Sequence, residues 1–242
     1  AGSKKGLFYV SKGKLKAYRP EGERHSALAK TPVRGIKVIS NNEVWYSTFG
    51  MGLYLHDPNT FINFGTDDGL NTGGMVYDLL TIKGVVYIAT SNGLFTYKNG
   101  DIKTHYTTKD GLPSNKVLDM DLDSKGTLWL ATSKGLSRYT GSGFKNYNRK
   151  DGLPSNLITA VHVDKNDDSR IWTGSTSSGL TRFDSEGFFT FAIQDGLPSN
   201  TIRDIVGLDN GDLAIACYNK GVAIYNGKSF KFSFNIANRT SQ

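Results

Sequence analysis

Seven side chains in this 242-residue chain have the types needed to hold a polar, charged ligand: Arg34, Phe49, Tyr77, Lys134, Arg203, Tyr218 and Lys220. Flat aromatic rings offer a face on which a sugar ring can stack, and arginine and lysine offer charged donors to a carboxylate or sulfate. Nothing among them makes or breaks covalent bonds, so the chemistry they imply is recognition. Three carboxylates near them, Asp78, Asp119 and Asp204, would carry an enzymatic alternative, which requires shifted pKa values and a bound metal.

Other catalytic patterns are weaker. Asp164, Asn166 and Asp168 copy the first ligand positions of a calcium loop, but Ser169 stands where glycine is needed and Ser175 where glutamate is needed. A turn between strands explains that segment. His25, His56, His105 and His162 show no metal-ligand spacing, and the single Cys217 sits in an apolar run and reads as a small buried hydrophobe. Every glycine is accounted for by a turn, which leaves no phosphate-binding loop. Neither metal nor cofactor is expected.

The seven residues stand out because each breaks a pattern that the rest of the chain keeps. Asp-Gly-Leu recurs at Asp68, Asp110, Asp151 and Asp195, spaced 41 to 44 residues apart. Three copies extend to Asp-Gly-Leu-Pro-Ser-Asn. A second phrase, Thr127 to Tyr139, matches Val85 to Tyr97 nearly position for position, with looser copies at 44–56, 170–183 and 213–225 and a fragment at 7–13. Strand residues repeating every forty or so positions mark a radial β architecture.

Each unit divides into four short strands, A to D, about ten residues apart, with no room for alternating helices. Four antiparallel strands per repeat make one blade of a propeller. Aromatics on strands B to D, the three Trp among them, then fill the wedge between blades. The fold expected is an all-β, six-bladed β-propeller, a single domain over 1–242 with blades near 1–33, 34–74, 75–115, 116–156, 157–200 and 201–242. The first blade is incomplete at the N-terminus: Ser3 to Gly6 reads as an A–B turn, so its strand A is missing. Closure by residues 236–242, a three-stranded blade and excision from a larger protein all remain open.

In such blades the D–A and B–C loops emerge at one end, because alternate turns of antiparallel strands share a face. Arg34 replaces the asparagine of the later D–A loops, and Tyr77 and Arg203 lie on strand A just beyond them. Phe49, Lys134, Tyr218 and Lys220 lie in B–C loops. The recurring Asp-Gly-Leu-Pro-Ser-Asn letters read as architecture, with Asp-Gly making the turn, Leu plugging between blades and Pro fixing φ.

The totals exclude several classes. No run of 18 apolar residues exists, so no membrane span is expected. With 29 basic and 22 acidic residues the formal charge is +7, which suits anionic partners. The lysines are dispersed and the aromatics periodic, which argues against nucleic acid as a partner.

Asp110 to Asn115, Gly126 to Thr132, Gly135 to Tyr139 and again Asp151 to Asn156 carry a pattern that resembles the two-component regulator propeller repeat. Near the N-terminus the pattern departs: residues 31–34 keep only the proline, and Asn71-Thr72-Gly73 has lost it. The resemblance implies the extracytoplasmic sensor region of a bacterial hybrid two-component receptor, periplasmic or extracellular and part of a larger receptor, often sensing glycans. Together the readings predict a non-catalytic ligand-binding module that takes an oligosaccharide or other small ligand, anionic in view of the charge. A protein-binding scaffold is the first alternative. A lyase-type propeller enzyme is the second, weakened because no matching His–Glu pair is found.

Overall fold

The structure is a computed structural model that describes residues 2–3, 6–11, 14–17, 32–40, 43–48, 52–56 and 61–234. The described strands form six antiparallel sheets, five of four strands and one of three. The first holds β1 (Gly2–Ser3), β2 (Gly6–Ser11) and β3 (Lys14–Ala17). The second holds β4 (Val33–Ser40), β5 (Glu43–Thr48), β6 (Leu53–His56) and β7 (Phe61–Phe64), and the third β8 (Val76–Ile82), β9 (Val85–Thr90), β10 (Gly93–Lys98) and β11 (Asp101–Tyr106). The fourth holds β12 (Val117–Leu122), β13 (Leu128–Thr132), β14 (Gly135–Tyr139) and β15 (Phe144–Tyr147). The fifth holds β16 (Ile158–Val163), β17 (Ile171–Ser175), β18 (Leu180–Asp184) and β19 (Gly187–Phe191). The sixth holds β20 (Ile202–Gly207), β21 (Leu213–Cys217), β22 (Gly221–Tyr225) and β23 (Phe230–Phe234).

This is the all-β propeller architecture expected, with one difference at the start. Strand A of the first blade exists as the two-residue β1, paired with β2 through Gly2–Leu7 and Ser3–Gly6. Residues 18–31, which would supply the first blade's strand D, and residues 236–242, expected to bear on closure, lie outside the described residues. The chain divides into two compact units, Ala1–His105 and Tyr106–Gln242.

Burial within a blade follows strand order. The central β13 is buried at every residue and packs with the fifth sheet in one core cluster. The outer β11 alternates exposed and half-buried residues and carries Asp101 and Lys103 at its rim, charges that discourage pairing with another edge. Tryptophans at the start of strand B fill the wedges. In the first unit Trp45 lies 5.6 Å from Phe64 of its own sheet and 4.9 Å from Tyr97 of the next. In the second, Trp129 meets Tyr147 and Phe183, each at 6.1 Å, and Trp172 meets Tyr225 at 5.5 Å. Such pairs add about 0.5–1.5 kcal/mol each beyond the area they bury.

The Asp-Gly-Leu phrase works as an architectural joint. Asp110 closes a single 3-10 turn, Thr108–Asp110, by accepting from the Thr107 amide (2.8 Å) and hydroxyl (2.9 Å). Gly111 then takes φ +103°, a left-handed value that an L side chain rarely adopts. The leucine drops into the wedge: Leu70, Leu153 and Leu197 each belong to a core cluster drawn from two adjacent sheets. Ser114 accepts from the Lys116 amide at 3.1 Å. Asn115 reaches back seven residues to the Thr108 amide at 2.8 Å, as Asn156 does to Arg149 and Asn200 to Ile193. Where the phrase degenerates at Asn71-Thr72, Thr72 takes the serine's part by accepting from the Gly74 amide.

Candidate functional site

Every four-stranded sheet has a β-bulge near the start of its innermost strand. Pairing jumps between Val33 and Gly35, Val76 and Asp78, Val117 and Asp119, Ile158 and Ala160, and Ile202 and Asp204. The residues left out of the ladder are Arg34, Tyr77, Leu118, Thr159 and Arg203. A bulge frees one residue from pairing and re-aims its side chain, which makes these positions natural places for recognition. Three of the seven expected site residues fall on them. The structure also corrects the alignment of one: Arg34 is the counterpart of Tyr77 and Arg203, not of Asn115. The bulge leaves no mark in residue type, so aligning on the loop letters misplaced it by three residues.

The B–C turns join this same end of each sheet, held by direct bonds to the D–A loops. The Ser133 amide donates to the Lys116 carbonyl (3.1 Å), the Ser91 amide to Met75 (3.1 Å) and the Tyr218 amide to Thr201 (2.9 Å). Ser114 and Ser133 share a hydroxyl contact of 2.7 Å, and Asn92 donates to the Asn71 carbonyl at 2.9 Å. Bulge and turn thus sit on a fixed backbone frame, to which the side chains of Thr159, Ser91 and Ser133 also bond.

In the second unit the sixth sheet brings expected residues together. The Arg203 guanidinium lies 4.6 Å from the centre of the Tyr218 ring, a cation–π pair in which Tyr218 stays 49% exposed. Lys220, also exposed, lies two residues on in the same turn, beyond Asn219 in the left-handed region at φ +55°. Lys134 occupies the equivalent turn of the fourth sheet and is exposed, its amide bonded to Thr132 Oγ1 at 3.2 Å. Those four occupy one end of the sheets, and only Arg203 and Tyr218 are seen in contact. In the first unit Tyr77 is half-buried on its bulge. Arg34 is placed by its backbone, and Phe49 lies outside the described residues.

The carboxylates of the enzymatic alternative divide. Asp119 is used by the scaffold: its Oδ2 accepts the Val161 amide of the next inner strand at 2.8 Å, and Asp121 does the same for Val163. Asp204 accepts the amide of its neighbour Ile205, and burial among surrounding atoms raises its pKa above the usual carboxylate range. Among the described residues no group of three or more His, Cys, Asp or Glu could hold a metal ion. The Asp164 segment is a turn whose aspartate accepts from the Asn166 amide (2.9 Å), Arg170 (3.3 Å) and the Trp172 indole (3.4 Å). Cys217 is buried, which raises its thiol pKa.

What the sequence reading missed at this end is the bonding of Ser91 and Ser133 to the D–A loops. Recurrence of Thr-Ser in the B–C phrase was the available signal.

Comparisons with known proteins agree with this geometry. No curated protein matches the chain in sequence. The extracellular domain of the hybrid two component system BT3049 from B. thetaiotaomicron superposes with a TM-score of 0.78 at 23% identity, over 93% of this chain and 32% of that one. PorZ, a surface component of the type-IX secretion system of Porphyromonas gingivalis, gives 0.71 at 16% identity, over 93% and 36%. Virginiamycin B lyase from Staphylococcus aureus gives 0.65 at 16%, over 83% and 69%. The chain spans about a third of the length of the first two. At these identities the likeness shows a shared propeller fold. In sequence, the family described as two component regulator propeller matches residues 111–134, which run from Gly111 through the B–C turn at Lys134. Residues 111–134 therefore match the two component regulator propeller repeat, in the same stretch where the recurring phrases resemble it.

Proposed function

We propose that this chain is a non-catalytic sensor propeller, one domain of an exported receptor, that takes an oligosaccharide bearing a negative charge at the bulge end of its blades. The observation that carries the reading is the Arg203–Tyr218 pair: a solvent-open ring, a guanidinium 4.6 Å from its centre, and Lys220 in the same turn. The ring supplies a stacking surface and the cations supply charge-assisted hydrogen bonds. Lys134 would add a cation at the equivalent turn of the fourth sheet, and Arg34, Phe49 and Tyr77 are the corresponding recognition residues of the first unit. The likeness to an extracellular domain of a hybrid two component system supports a periplasmic or extracellular receptor context. The enzymatic alternative loses support because Asp119 is committed to a backbone amide.

The test is calorimetric titration with a panel of neutral, uronic-acid-containing and sulfated oligosaccharides. An acidic member should bind, and Arg203→Ala with Lys220→Ala should weaken it at least tenfold without altering the melting curve. Unchanged affinity in that double variant rejects the site. A blank glycan panel together with a co-purifying protein favours the scaffold alternative.

A further inference from the structure

A second site lies at the other end of the sheets, among the A–B and C–D turns of the second unit. There a cleft of about 300 Å³ opens between the fourth and fifth sheets, lined by Trp129, Arg138, Lys125 and the carboxylates of Asp123, Asp168 and Asp184. The two sheets offer an internal comparison, because Trp129 pairs with Arg138 across β13 and β14 as Trp172 pairs with Arg182 across β17 and β18.

In the fifth sheet the Trp172 indole N–H donates to Asp164 Oδ2 at 3.4 Å, and Arg182 forms an ion pair with Asp184 at 2.8 Å while its guanidinium covers the Phe189 ring at 4.4 Å, although its Nε, like that of Arg138, makes no hydrogen bond. In the fourth sheet the indole acceptor and the ion pair are both missing. Trp129 is only 6% exposed, yet its indole nitrogen has no hydrogen-bond partner. Arg138 lies over the Trp129 ring at 5.7 Å, its buried Nε also lacks a partner, and no ion pair of Arg138 is seen among the described residues.

The reason is the length of the A–B turn. Trp129 lies six positions after Asp123, whereas Trp172 lies eight after Asp164. The tighter turn holds Asp123 on its own backbone, where Oδ1 accepts from the Thr127 amide (2.7 Å) and the Lys125 amide (3.0 Å). Buried donors without acceptors are costly, so the Trp129 indole N–H, which lacks the carboxylate that Trp172 has, together with an Arg138 that makes no ion pair among the described residues, defines a place for an acceptor at this cleft. On the facing wall Asp168 is fixed by the amide and hydroxyl of Ser124, and Asp184 by Arg182. On one wall the Asp123 carboxylate is engaged by its own turn, and the other wall presents Asp168 and Asp184.

We infer that this cleft binds a small zwitterion of the free α-amino acid class. The ligand carboxylate meets Arg138, the Trp129 N–H and Lys125, and the ligand ammonium faces Asp168 and Asp184. Arg138 moves off the indole ring as the carboxylate enters, since the Trp129 nitrogen is covered in the empty cleft. The site is separate from the bulge end and does not depend on what binds there.

The experiment is calorimetric titration of the whole chain with the free L-amino acids, each alongside its methyl ester and N-acetyl derivative. At least one free amino acid should bind, with both derivatives weaker by tenfold or more. Arg138→Gln and Trp129→Phe should each weaken it by a similar factor, and Arg203→Ala, at the opposite end, should leave it unchanged. Should Trp129→Phe fail to fold, the Arg138 variant decides alone. Absence of binding by every amino acid, equal binding of an ester, or a crystal structure at saturating amino acid showing only water on the Trp129 nitrogen would each overturn the inference.

Discussion

The recurring loop letters and the residues that interrupt them lie a few ångströms apart and have opposite fates. In the loops, polar atoms are consumed by the backbone: Asp151 Oδ2 accepts the Asn148 amide, Asn156 Oδ1 the Arg149 amide and Ser155 Oγ the Leu157 amide. On the bulges and B–C turns, Arg203, Tyr218, Lys134 and Lys220 bond to the frame only through their main chain or stack on one another. Recurrence within a repeat therefore marks groups already satisfied, whereas at Arg203, Tyr218, Lys134 and Lys220 departure from it marks side chains exposed to solvent. The comparison can be broken by finding a loop letter that matters little to folding, or an interrupting residue that matters much.

The largest contrast is between two adjacent residues of one turn. Gly135 has φ +131°, and a methyl group there would stand 2.3 Å from the Tyr147 carbonyl oxygen. Because the obstacle is backbone, Gly135→Ala should cost about 3 kcal/mol from strain and displacement together. Lys134→Ala next to it should stay within about 0.5 kcal/mol. Urea denaturation followed by tryptophan fluorescence measures both, and similar midpoints for the two variants would dissolve the distinction.

Smaller effects should follow the same line. Asn156→Ala removes the bond that closes its loop seven residues back and should cost about 1 kcal/mol. Arg203→Ala removes only an exposed cation–π contact and should cost about 0.5 kcal/mol or less. Thermal melts of the two variants check the order, and a larger loss at Arg203 would make it part of the frame.

How much of this was legible beforehand depends on whether the determinant is local. The Asp-Gly turn, the buried leucine and the tryptophan wedges follow from residue type and period, so the blades and their cores could be read directly. The bulge at Arg34 could not. It is a change of pairing with a strand ten or more residues away, and the sequence Val33-Arg34-Gly35 fits a regular strand as well. The reach of Asn115 to Thr108 was hidden for a related reason, since it depends on how the intervening 3-10 turn brings the two together. The orphaned Trp129 indole needed a comparison of two turn lengths whose consequence appears only in three dimensions.

The smallest expected effect tests the division at one register position. Asp119 and Asp204 each follow a bulge residue, but Asp119 accepts an amide of the neighbouring strand, whereas among the described residues Asp204 accepts the amide beside it and no other. Burial raises the Asp204 pKa, and the charge of a protonated His162 nearby acts in the opposite direction. The folded chain then holds this proton to higher pH than the unfolded chain, whose carboxylate titrates near about 3.9. Folded protein binds more protons across that window, so this group's contribution to stability falls as pH rises through it. Asp204→Asn keeps an acceptor for Ile205 and removes the charge, so it should stabilise the protein at pH 7 and leave it unchanged at pH 3. The Asp204 side chain keeps an exposed surface although surrounding atoms partly desolvate its carboxyl group, and solvent screening limits the gain to about 0.5 kcal/mol. Asp119→Asn should show no such gain, because the Val161 amide favours the charged acceptor it would lose. Equal responses of the two variants would mean that the bulge register alone, and not the bond to the next strand, sets what these carboxylates do.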